Sequence, residues 1–167
     1  MRFIRNAFIV LAILFIILQL NTWQKREFMK KWRYYETKDA ISEKPIYIAS
    51  VFSSDYKSEL IIRCDKDKKT FDVFIDYGRY LTGLDKIEIR YRFDQDDVIN
   101  MQWYLSDKSK SIFSPEPYVF AKKLIKHNSF IVENESRGFE REKIIAQFKL
   151  KDGHDKIQEV YDKCIRE

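Results

Sequence analysis

Between Pro45 and Tyr104 apolar and polar residues alternate with a period of two, the repeat of a strand with one buried face. The clearest run is Lys86 to Asp94, where Ile87, Ile89, Tyr91 and Phe93 point one way and Glu88, Arg90, Arg92 and Asp94 the other. Further strands are predicted at Ile46–Phe52, Leu60–Cys64, Phe71–Asp76 and Val98–Tyr104. Turn-forming stretches divide them, among them Ser53-Ser54-Asp55, Asp65 to Lys68, Gly78 to Gly83 and Asp94 to Asp97. Such short connections favour antiparallel pairing, because parallel strands need long crossovers.

The pattern changes after Pro117, where Phe120, Leu124 and Ile125 share one helical face. Two more strands are expected at Phe130–Val132 and Ile144–Leu150, around the loop that holds Gly138. A terminal helix follows, with Asp152 placed to cap it and Ile157, Val160, Tyr161 and Cys164 at i, i+3, i+4, i+7. The predicted fold is α+β: an antiparallel sheet of about six to seven strands with one or two packing helices, preceded by a single N-terminal transmembrane helix.

That helix is expected because Ala7 to Trp23 is apolar apart from a few positions and follows Arg2 and Arg5. Its length of about 17 residues is the lower limit for a span. The exit, Leu20-Asn21-Thr22-Trp23-Gln24, lacks the small residues of a signal-peptidase site, so the segment reads as an uncleaved signal anchor. The chain then divides into an anchor (1–24), a basic aromatic juxtamembrane segment (25–40) and a globular domain (41–167). Gln24 to Tyr35 is expected to continue helically, with Phe28, Trp32 and Tyr35 on one face. Trp23, Lys25, Arg26, Lys30, Lys31, Trp32 and Arg33 would form a collar against anionic headgroups, which makes membrane lipid a partner. An ordinary juxtamembrane helix with snorkelling lysines is the plainer alternative.

Charge refines the picture. The formal net charge is +5, but much of the excess flanks the apolar segment, and no basic stripe lies on the folded part, which argues against a nucleic-acid partner. The positive-inside count leans towards a cytoplasmic domain. The signal-like N-terminus and the two cysteines lean towards the periplasm, behind an inner-membrane, single-pass anchor. Bridging Cys64 and Cys164 would pin the last helix to the sheet; two buried, reduced thiols are the alternative.

Chemistry is sparse. His127 and His154 are isolated in sequence, and no HExxH, CxxC, GxSxG, P-loop or GxGxxG pattern occurs. No catalytic residue, metal ligand or cofactor is therefore expected, and the chain reads as a non-enzyme. Asp94 to Asp97 lacks the glycine and distal glutamate of a calcium loop and reads as a hairpin turn. Arg90 and Arg92 form a basic pair on an outer strand face, able to meet an acidic ligand or to pair with neighbouring carboxylates. Trp103 reads as core.

The order of several motifs resembles a known group. Leu60-Ile61-Ile62-Arg63-Cys64 is followed by an aromatic strand with Tyr80-Leu81, then Tyr91-Arg92-Phe93-Asp94, Trp103 with Ser106-Asp107, Phe113, Ala146-Gln147-Phe148 and the closing Cys164. From Trp32 to Cys164 this resembles the extracytoplasmic domain of the VasI/TagO group of type VI secretion-associated proteins and related bacterial and phage envelope proteins. The glycine-rich turn of that group is replaced by Glu135-Ser136-Arg137-Gly138, and its later glycine is present only as Gly153. The resemblance implies a Cys64–Cys164 pair, a periplasmic domain and an accessory role that binds or stabilises another envelope protein. A phage or mobile-element exclusion or immunity factor would share this architecture. An envelope hydrolase would require an acidic pair in a cleft.

Overall fold

The computed structural model describes residues 15–24, 27–81, 85–137 and 141–166. Nine strands form one antiparallel sheet: β1 (Arg33–Lys38), β2 (Pro45–Phe52), β3 (Glu59–Asp65), β4 (Thr70–Asp76), β5 (Lys86–Phe93), β6 (Ile99–Leu105), β7 (Ser111–Phe113), β8 (Ser129–Arg137) and β9 (Arg141–Lys149). Their order across the sheet is β1-β2-β3-β4-β7-β6-β5-β8-β9. Among the described residues three helices accompany it: α1, helical over residues 15–24, α2 (Pro117–Lys126) and α3 (His154–Ile165), the last entered through a 3-10 turn at Lys151–Gly153.

Two expectations are corrected here. No helix among the described residues is long and apolar enough to cross a membrane. The described residues therefore do not support the single-pass, inner-membrane placement or the transmembrane element of the expected fold; residues 1–14 of that segment lie outside them. The strand count is nine rather than six to seven. The additional strands are β1, in a stretch expected to be helical, and the three-residue β7.

Alternation explains the layering. Leu60, Ile62 and Cys64 of β3, Phe71, Val73 and Ile75 of β4, and Ile87, Ile89, Tyr91 and Phe93 of β5 are buried on one face. α2 and α3 cover that face. Phe120 of α2 enters an aromatic nest, with ring centroids 5.0–5.5 Å from Trp103, Phe130, Phe93 and Tyr91. Such edge-to-face contacts add to the area buried. Ile157 and Val160 of α3 are fully buried. Asp152 does not cap this helix; Gly153 occupies the N-cap and no side chain bonds there.

The sheet curls so that its two ends approach. The Ser54 N–H donates to the Gln147 carbonyl at 2.8 Å, and the Trp32 indole N–H donates to the Lys149 carbonyl at 2.8 Å. Trp32 is buried and lies flat on Gly153, where a Cβ would meet its ring at 2.2 Å. The glycine is required by this close approach, because its φ of −115° is open to any residue.

Candidate functional site

The collar expected at the N-terminus divides into two groups. Trp23, Lys30 and Lys31 are exposed, whereas Lys25 and Arg26 lie outside the described residues. Trp32 and Arg33 belong to the domain. Arg33 starts β1, donates to the Glu59 carboxylate and the Ser50 hydroxyl, and sits over the Phe52 ring at 4.8 Å. Side chains so engaged are not available to lie along a headgroup surface. The sheet thus takes in residues 33–38, upstream of the expected domain start.

Cys64 and Cys164 are paired, with Cα atoms 5.5 Å apart and a sequence separation of 100. Strand alternation puts Cys64 on the helix-covered face, and the seven-residue step from Ile157 brings Cys164 onto the face of α3 that meets β3. The bond fastens the last helix to the sheet and no free cysteine remains. Bridges of this kind persist in oxidising surroundings.

Arg90 and Arg92 project from the uncovered face of β5, between β6 and β8. Register builds two cross-strand rows: Arg90, Glu133 and Ile145, and beside it Arg92, Ile131 and Gln147. Between them lies a depression of about 130 Å³, lined by both arginines, Val98, Ile131, Glu133 and Ile145. Cofactor and substrate pockets measure roughly 300–1,000 Å³, so this one holds a single side chain. Its charge is unbalanced. Glu133 is shared by Arg90 at 3.3 Å and Lys143 at 3.4 Å. Arg92 is half-buried and has no carboxylate partner among the described residues. Val98 and Ile145 are about half exposed, at 50% and 53%. The walls from Ile131 and Ile145 could not be found from sequence, because they lie 39 and 53 residues beyond Arg92 and their placement follows only from the strand order.

A larger depression of about 570 Å³ runs between α3 and β2, lined among others by Tyr47, Lys66, Asp155, Glu159 and Lys163. Its charges are mixed and largely engaged: Lys66 donates to the Arg166 carbonyl and Lys163 lies over the Tyr47 ring. At its margin the Tyr34 hydroxyl is pushed up to about 12 by burial and by its bond to Glu159.

The remaining candidates have structural duties. Asp94, at a left-handed φ of 42°, closes β5 and accepts hydrogen bonds from the Asn128 and Ser129 N–H groups and the Ser129 hydroxyl. Burial works against its charge, but these bonds outweigh it and lower its pKa below the usual 3.8. His127 stacks on Phe93 and reaches Asp96 at 3.2 Å, while His154 bonds the His127 carbonyl. No group of three His, Cys, Asp or Glu residues fit to hold a metal occurs among the described residues. Three core polar groups lack partners there: the Tyr77 hydroxyl, the Trp103 indole N–H and both amide atoms of Asn134. Each such group costs about 1–3 kcal/mol.

Fold and surface together define a disulfide-tied, nine-stranded α+β domain with a basic groove on its open sheet face. No family model matches the chain, and no curated protein matches it. Among solved structures it is similar to the invasion associated protein B of Bartonella henselae, at 8% identity and a TM-score of 0.49, over 82% of this chain and 93% of that one.

Proposed function

We propose that this domain is a non-enzymatic binding module that holds another envelope protein on the open face of its sheet, in surroundings oxidising enough to keep Cys64 and Cys164 bridged. The observation that carries the reading is the asymmetry of the two faces. One face is filled by α2, α3 and the aromatic nest; the other leaves Val98 and Ile145 exposed beside a half-buried Arg92 that has no carboxylate partner among the described residues. Apolar side chains around an arginine are the usual make-up of a protein contact. Both histidines serve packing and hydrogen bonding, and the small size of the groove favours a side-chain socket over a reaction site. The accessory role in an envelope assembly comes from the motif order around Cys64 and Cys164 and remains part of the proposal.

Photo-crosslinking in living cells tests it. A benzophenone amino acid at position 145 is expected to give one discrete adduct with an identifiable envelope protein, and none at position 158 on α3. Equal adducts at both positions, or none at 145, would refute the reading.

A further inference from the structure

We infer that the groove between β5, β8 and β9 is a docking socket for an acidic, extended segment of a partner protein, with one Asp or Glu carboxylate seated on Arg92. The inference rests on the reading of the domain as a binding module and adds the chemistry of the partner.

Charge complementarity is the first argument. Arg90 and Lys143 share one Glu133 carboxylate oxygen, and Arg92 lines the same groove beside Glu133, the one carboxylate among its described lining residues. Glu88, on the same face of β5, makes no ion pair among the described residues, and Asp96 faces His127 instead. The socket thus carries a local surplus of positive charge. Arg92 is the member with no counter-ion among the described residues, and its guanidinium offers a planar fork suited to a carboxylate.

Shape is the second. A volume of about 130 Å³ matches one side chain, and the walls are aliphatic: Val98 on the β6 side, Ile131 beneath, and Ile145 on the β9 side. Inorganic phosphate would gain nothing from those walls. A peptide in which an acidic residue is flanked at alternate positions by aliphatic ones would use both the fork and the walls. The carboxylate would also be partly desolvated there, which strengthens its bond to Arg92.

An unbiased library of extended octapeptides, displayed and selected on the intact protein with its disulfide in place, tests the inference. Selected sequences are expected to be enriched in Asp or Glu with Val, Ile or Leu two positions away. A synthetic winner should lose at least tenfold in affinity when its acid is changed to the amide. Arg92→Gln should cause a similar loss, and Ile145→Ser a smaller one, with melting temperatures unchanged as the folding control. Inorganic phosphate at millimolar concentration should not displace the winner. Selection of neutral or basic peptides, no selection at all, indifference to Arg92→Gln, or displacement by phosphate would overturn the inference. A position-specific crosslink at 145 combined with any of those results would sink the acidic socket and leave the binding module standing. Loss of both would remove the module as well.

Discussion

Substituting Gly153 by alanine probes the joint that closes the sheet. The added Cβ would stand 2.2 Å from the Cδ2 and Cε2 atoms of Trp32 and 2.4 Å from Nε1. Ordinary contact begins near 3.4 Å, so the indole must move. Moving it breaks the 2.8 Å bond to the Lys149 carbonyl and disturbs a side chain that is only 6% exposed. Overpacking of a filled site costs roughly 1–3 kcal/mol, and the lost hydrogen bond about 0.5–1.5 kcal/mol. Reduced freedom of the unfolded chain returns about 0.4–1 kcal/mol. The net expectation is a loss of about 2–3 kcal/mol, or roughly 6–10 °C in Tm for a domain of this size. A double-mutant cycle in urea isolates the cause. Trp32→Ala alone should cost roughly 3–5 kcal/mol, and adding Gly153→Ala to it should cost almost nothing, because the ring it strikes is gone. Equal penalties for Gly153→Ala in both backgrounds would refute the steric argument, and with it the assignment of Trp32 to the domain core.

Three further outcomes follow from the same geometry. Replacing both Cys64 and Cys164 by serine should lower urea stability by about 4–5 kcal/mol, the chain-entropy value for a loop of this length; a loss under 1 kcal/mol would mean the bond restrains little. Because the folded-state pKa of Asp94 lies below its unfolded value, its contribution is complete above that value and is lost as pH falls through the lowered one. Asp94→Asn should therefore flatten the acid limb of the stability–pH curve below about pH 4, and an unchanged limb would contradict the role given to its hydrogen bonds. Asn134→Leu should raise Tm, since both amide atoms are buried beside Ile89 and Ile144 without partners among the described residues and their removal relieves about 1–3 kcal/mol; a fall in Tm would show that the amide has a partner the fold depends on.

Much of the sheet was legible because its alternation is strong. The segments expected at Ile46–Phe52, Leu60–Cys64 and Phe71–Asp76 lie within β2, β3 and β4. β1 was not legible. The spacing of Phe28, Trp32 and Tyr35 imitates a helical face, whereas Trp32 is fixed by a tertiary contact 117 residues away and residues 33–38 pair with β2. The apolar N-terminal run pointed to a membrane span that no helix among the described residues provides, and residues 1–14 of that run lie outside them. Arg90 and Arg92 could be placed on an outer face by alternation alone. Their apolar companions could not, because Ile131 and Ile145 join them only through the strand order β6-β5-β8-β9.

The most direct test of the central claim, a disulfide-tied binding domain in oxidising surroundings, is the state of the two thiols in the cell. Cells are quenched in acid, and the protein is denatured and treated with a mass-tagging maleimide, with and without prior reduction. Labelling of Cys64 and Cys164 only after reduction is the predicted result. Two tags without reduction would contradict the claim and leave α3 held by packing alone.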